Sequence, residues 1–196
     1  MATVSVRFNT AQMERAFREL GQRLGTLALL RGLNRAASSA KTLMVREVSR
    51  DMGLKVGTVR DQVKVVEARA NRLEATVSTS GKRIPLIDFR ATGPEPSRGR
   101  GRGVRARLPG GAGKYPHAFI ARMASGHRGV FERISPATST SRGAWSKNLP
   151  IRELRGPSIP HVFGKYLPAG AARAQEIMLT TLESEIKFRI RQAATA

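Results

Sequence analysis

Hydrophobic positions recur with a helical period at both ends of the chain and with a period of two in its middle. Val4 to Phe8 alternate as a short strand. Asn9 and Thr10 are suited to cap a helix whose apolar positions, Met13, Ala16, Phe17, Leu20 and Leu24, fall on one face, and Gly25 is placed to end it. A longer helix is predicted from about Leu27 to Met52. Leu29, Leu30, Leu33, Ala36, Ala37, Ala40, Leu43, Met44 and Val48 draw its buried face, and Arg31, Arg35, Arg46 and Arg50 lie mostly off that face. The many alanines permit close helix packing or contact with a neighbouring subunit, and Gly53 suits a left-handed stop. A third short helix is predicted from Val56 to about Ala68.

Beyond Asn71 the period changes. Leu73, Ala75, Val77 and Thr79 alternate with Glu74, Thr76 and Ser78, the pattern of a half-buried strand. Gly81 and Lys82 read as a turn, and Ile84 to Phe89 as a partner strand in which Pro85 marks an edge. Val104, Ala106 and Leu108 alternate with Arg105 and Arg107. Ala118 to Met123 and Gly129 to Ile134 read as two strands joined through Ser125, Gly126 and His127. Ser135 to Lys147 is a polar loop, Ile151 to Leu154 a last strand, and Gly156 to Pro160 a passage punctuated by proline. The helical period returns from Pro168 to about Gln192 in Ala171, Met178, Leu179, Leu182, Ile186 and Ile190. This order predicts an α+β fold, with N-terminal helices and a long C-terminal helix packed on an antiparallel β-sheet or small β-sandwich. One domain is expected over 1–196, mainly helical over 1–70 and β-rich over 71–155, with an Arg/Gly-rich arm at 92–113. A Pro-rich turn and the C-terminal helix occupy 156–196.

Charge changes the picture from fold to partners. The chain of 196 residues carries 35 Lys and Arg against 14 Asp and Glu, a net of +21. Such an imbalance attracts polyanions over long range. Arginine supplies 27 of the cations, and guanidinium forks suit phosphates and interface carboxylates better than ammonium groups do. Aromatic residues are 5% of the chain, so a modest core is expected. The absence of cysteine excludes disulfides and thiolate zinc sites. Arg7 and Asn9 interrupt any signal-peptide pattern, and the apolar run Leu27 to Leu30 is far shorter than the roughly 20 residues that span a bilayer. An aqueous, cytoplasmic setting is expected.

The densest local feature is basic. From Arg90 to Arg128 there are nine cations and one acid, Glu95. Arg98, Arg100 and Arg102 alternate with Gly99, Gly101 and Gly103, a comb without apolar stems that can meet phosphates by counterion release without reading bases. A solvated loop serving solubility alone has little reason to be arginine-only. No aromatic side chain is interleaved with the comb, so backbone contact is expected rather than base stacking.

Val48 to Val63 (VSRDMGLKVGTVRDQV) has the spacing of a helix-turn-helix, although two helices joined by a glycine stop are the favoured account of it. Enzyme signals are weak. His117, His127 and His161 have no acid at ligand spacing, and no serine sits in a nucleophile-elbow context. Gly110 to Lys114 resembles a phosphate loop, but Leu108 replaces its first glycine and Tyr115 its Ser/Thr. No catalytic residue, metal, cofactor or small-molecule substrate is expected.

Three passages resemble the phage minor tail protein Z family, in the same order along the chain: Leu29 to Ser49 (LLRGLNRAASSAKTLMVREVS), His117 to Ile134 (HAFIARMASGHRGVFERI), and Leu149 to Phe163 (LPIRELRGPSIPHVF). In the last, an LPI triplet leads into a Gly-Pro-Ser-Ile-Pro turn just before the C-terminal helix. The resemblance implies a lambda-type siphophage tail component acting in tail completion at the head-proximal end, and in placing the DNA end after head joining. It also implies a homo-oligomeric ring, other tail or neck proteins as partners, and residence in the virion after assembly in the bacterial host cytoplasm. No family motif is fixed to the basic middle. Arg98, Arg100, Arg102, Arg105 and Arg107 are therefore named as DNA- or partner-contacting candidates from charge alone. The competing expectation is a helix-turn-helix regulator using residues 48–63, and a nuclease is a distant third.

Overall fold

The computed structural model describes residues 2–6, 22–95, 103–134 and 150–194. Along the chain these form β1 (Ala2–Val6), α1 (Gln22–Met52), α2 (Val56–Gln62), β2 (Val63–Val66), β3 (Ala75–Thr79), β4 (Arg83–Pro85), a 3-10 turn (Leu86–Phe89), β5 (Val104–Leu108), β6 (Gly111–Tyr115), β7 (Ala118–Arg122), β8 (Arg128–Arg133), β9 (Ile151–Glu153), β10 (Arg155–Ser158), α3 (Pro160–Lys165) and α4 (Leu167–Ala194). Helices at both ends of the chain and antiparallel sheets between them make the fold α+β, as the periodicities predict. The chain divides into two compact units, one of Met1–Ser49, Val59–Gly81 and Ile159–Ala196, the other of Arg50–Thr58 and Lys82–Ser158.

In the first unit, β3 lies between β1 and β2 in a three-stranded antiparallel sheet, with Val77 opposite Val4 on one side and Val65 on the other. Helices α3 and α4 lie against β1. Helices α1 and α4 run antiparallel and interlock through small and large residues. A Cβ on Gly32 would stand 2.6 Å from the Met178 sulfur, and one on Gly170 would stand 2.6 Å from the Met44 sulfur. Each methionine thus occupies the hollow left by a glycine on the facing helix. Between these contacts Arg173 Nε donates to Ser39 Oγ at 3.3 Å, and beyond them Arg31 pairs with Glu185 at 3.1 Å. Leu29, Leu33, Val48, Val77 and Phe163 are each 4% exposed or less.

The second unit is built from three small antiparallel sheets, β5–β6, β7-β8-β9 and β4–β10. A few backbone bonds outside the ladders stitch them together. Thr92 and Arg105 exchange two bonds of 2.8 Å, Ile120 N–H donates to Pro94 O at 3.0 Å, and Leu86 N–H donates to Leu154 O at 3.0 Å. Close approach of backbone to side chain matters here. Gly156 lies beneath the buried ring of Phe89, where a Cβ would stand 2.5 Å from it.

Several expectations are corrected. Gly25 does not end a helix; it is buried inside α1. The cost of roughly 1 kcal/mol for glycine in a helix interior is offset by the packing of the apolar face around it. The third helix stops at Gln62, because Val63, Val65 and Val66 are β-branched and pair with β3, burying Val63. Ile84–Phe89 is not the partner strand of β3. Only Arg83–Pro85 is extended, and it pairs with β10. Leu86 and Phe89, both fully buried and three residues apart, close a 3-10 turn instead. Two passages without periodicity, Gly111–Tyr115 and Arg155–Ser158, are strands, and Pro160–Lys165 is a short helix that starts at its proline. The helix predicted around Met13 to Leu24, the comb Arg98 to Arg102 and the polar loop at 135–147 lie largely or wholly outside the described residues. Gly53 does adopt the left-handed stop, at φ 64°.

Candidate anion-binding surface

The alternation read from Val104 to Leu108 determines which way β5 faces. Val104 and Ala106 are buried, while Arg105 and Arg107 are exposed. In the β5–β6 ladder Arg105 stands opposite Lys114, and Arg107 opposite Ala112. Residues directly opposite on an antiparallel pair project to one face. The hairpin therefore shows three cations on one face, and none of them makes an ion pair with a described residue. On the other side of β5 the bridge to Thr92 closes the root of the arginine arm. Arg98, Arg100 and Arg102 themselves lie outside the described residues.

Two backbone features shape this root. Gly103, where the arm returns, has φ 77°, and a Cβ there would overlap the Tyr115 carbonyl oxygen and stand 2.5 Å from Pro116 Cα. Only glycine fits. Arg90, two residues before Thr92, is the one described non-glycine residue with positive φ, at 52°, and it caps the 3-10 turn. An L-residue in the left-handed region carries strain of order 1 kcal/mol. An exposed arginine held there keeps a fourth cation at the foot of the arm.

Several other cations of the second unit are partnered. Arg152 pairs with Glu132 at 2.8 Å, Arg155 with Glu153 at 3.2 Å, and Arg128 with Glu95 at 3.8 Å. His127 Nε2 lies 2.7 Å from Glu153 Oε1 and its ring stands edge-on to Phe131. Arg133 sits 5.6 Å over the Phe119 ring. Nearby Asp88 has its carboxyl pushed up by burial; Lys55 opposes this, Glu153 adds to it, and His127 opposes it. The pairing of His127 with Glu153 was not legible in the sequence, since the two are 26 residues apart and meet only through the β8–β9 ladder. Among the described residues no group of three His, Cys, Asp or Glu side chains is placed to hold a metal ion, and no helix is long and apolar enough to cross a membrane.

Alternation in the sequence already places Arg105 and Arg107 on the exposed side of β5, whereas nothing in it brings Lys114 beside them or marks Arg90. Lys114 sits in a Gly-Ala-Gly-Lys strand too poor in side chains to show a period, and Arg90 is marked only by its backbone. The passage resembling a phosphate loop is the turn and second strand of this hairpin, not a strand-to-helix loop, which agrees with its rejection. In the helix-turn-helix stretch, α2 has seven residues, buries Val59 and runs straight into β2.

Among the described residues the β5–β6 hairpin thus presents Arg105, Arg107 and Lys114 on one face without ion-pair partners. The family model of prophage minor tail protein Z matches residues 12–195, and the chain belongs to this family of phage tail proteins. No curated protein and no solved structure matches it. The protein is thus a structural component of the phage tail, carried in the virion and working against other phage proteins.

Proposed function

We propose that the protein acts in tail completion at the head-proximal end of the tail, as a homo-oligomer that also holds the end of the viral DNA without reading its sequence. The observation that carries this reading is the cationic face of the β5–β6 hairpin: Arg105, Arg107 and Lys114 project together, unneutralised by described residues, at the root of the arm bearing Arg98, Arg100 and Arg102. A DNA passage through a tail wants contacts to phosphate rather than to bases, because the same surface must hold DNA and later release it. Arginine and lysine side chains give such contacts through counterion release, with affinity that falls steeply as salt rises.

The test is the salt dependence of binding to random-sequence duplex DNA. Substituting Arg105, Arg107 and Lys114 together with Gln should lower the slope of log affinity against log salt by about three units, one for each lost phosphate contact. Gln at Arg98, Arg100 and Arg102 should flatten it further while assembly into tails survives. An unchanged slope would remove these residues from the DNA-facing set. Footprinting that revealed a single protected operator would favour a regulator instead.

A further inference from the structure

Two surfaces of the first unit complement each other. The first is the tip of the β2–β3 hairpin. Arg69 and Arg72 face one another across it, joined by backbone bonds of 2.9 and 2.8 Å, and neither makes an ion pair with a described residue. Like charges directly opposite on a ribbon destabilise it, and a counter-anion brought from outside relieves the repulsion. Val66 and Leu73 flank the pair, 46% and 40% exposed. The tip is held firmly, because the Asn34 side chain of α1 grips Ala68 from both sides. Its Nδ2 donates to Ala68 O at 3.3 Å and its Oδ1 accepts from Ala68 N–H at 2.7 Å.

The second surface is the outer face of α4. In a chain of net charge +21, residues 176–185 contain Glu176, Glu183 and Glu185 and no Lys or Arg. Glu185 is taken by Arg31. Glu176, which also accepts from Arg173 at 2.7 Å, and Glu183 are exposed, as is Leu179 at 44%. These three positions form a stripe at three- and four-residue spacing.

The two surfaces lie on opposite flanks of the α1–α4 pair. Gly32 faces α4 and Met178 faces α1. At about 100° per residue, Asn34 points about 200° away from Gly32, and Glu176 and Glu183 point roughly 140–160° away from Met178. A single copy cannot bring its own tip to its own stripe.

We propose that the hairpin tip of one copy docks on the α4 stripe of the next, with Arg69 and Arg72 against Glu176 and Glu183, and Val66 and Leu73 against Leu179. Duplex phosphates could satisfy the arginines but would leave both apolar side chains in water; the α4 stripe satisfies both at once. Arginine beside apolar anchors is the composition of a protein interface. Tip and stripe are different surfaces, so the contact is head-to-tail and repeats from copy to copy, closing into a ring where the rotation allows. This specifies the self-association included in the proposed function and is independent of DNA contact.

The test is sedimentation velocity of the full chain at about 0.15 M salt, where charges more than about 8 Å apart are largely screened. The wild type is compared with R69E/R72E, with E176R/E183R and with their equimolar mixture, and circular dichroism checks that each is folded. Each reversal should weaken self-association roughly tenfold or more. The mixture should restore it, because a reversed tip then meets a reversed stripe and a native tip a native stripe. Should R69E/R72E fail to fold, R69Q/R72Q takes its place, with weakening the expected result. Variants that associate as the wild type does, or a mixture of folded variants that fails to recover, would overturn this interface and leave self-association standing. A wild type that stays monomeric at every concentration overturns both, while the DNA titrations above remain an independent measure.

Discussion

The two units carry very different charge. The second holds 18 Lys and Arg against five acidic residues over 86 positions, a net of +13; the first holds 17 against nine over 110, a net of +8. Their packing differs as well. The first unit gains its stability from long helices that interlock through glycine and methionine over a three-stranded sheet. The second has short strands in three small sheets linked by a few further backbone bonds, and it depends on glycines where backbone must pass close to backbone or ring. The comparison teaches that repulsion has been concentrated where the fold relies least on extended apolar burial. The second unit gains local charge density, and the helical unit is spared the cost.

The largest effect should come from Gly103→Ala. The substitution forces a Cβ into the Tyr115 carbonyl at a positive φ, and about 3 kcal/mol of destabilisation is expected. Hydrogen exchange should quicken through β5 and β6 while α1 and α4 keep their protection. Equal loss in both units would break the distinction between them. Next comes Asn34→Leu in the first unit. It strips the N–H and carbonyl of Ala68 of their side-chain partner and should cost about 2 kcal/mol in urea unfolding.

A smaller change of opposite sign is expected at Thr79, 2% exposed on the central strand, whose Oγ1 is buried without a partner. Thr79→Val keeps the shape and removes the unsatisfied hydroxyl. It should stabilise by about 1 kcal/mol, which corresponds to a rise in Tm of roughly 2–4 °C. The smallest effect concerns Asp88 in the second unit. Burial raises its carboxyl in the folded state, so the folded chain binds that proton more tightly than the unfolded chain does. Its contribution is fully present below the unfolded value and is lost as pH rises through the raised folded value. Asp88→Asn should therefore flatten the decline in the urea midpoint across that acid window. An identical pH profile for the two proteins would show that Lys55 and His127 already compensate the burial.

Much of the candidate surface was legible before the fold was known. Alternation in Val104 to Leu108 already turned Arg105 and Arg107 outward, because a strand with one buried face must show the other to solvent. Lys114 was hidden because Gly-Ala-Gly supplies no hydrophobic period; it joins the arginines only through the ladder register. The tip arginines Arg69 and Arg72 were hidden for a related reason, since the passage read as the end of a helix until Val63–Val66 paired with β3.

What the sequence determined by itself was local: the long helix drawn by the spacing of Leu29 to Val48, its stop at Gly53, the strands that alternate, the charge, and the family. Each depends on residues within a few turns of one another or on composition, so no partner element is needed to decide it. The tertiary structure decided what depends on distant partners. It carried α1 through Gly25, gave β3 the neighbours β1 and β2 in place of β4, and brought His127 to Glu153 and Asn34 to Ala68. These outcomes follow from burial and from backbone bonds between segments far apart in the chain, and such terms outweigh local propensities of a kcal/mol or less.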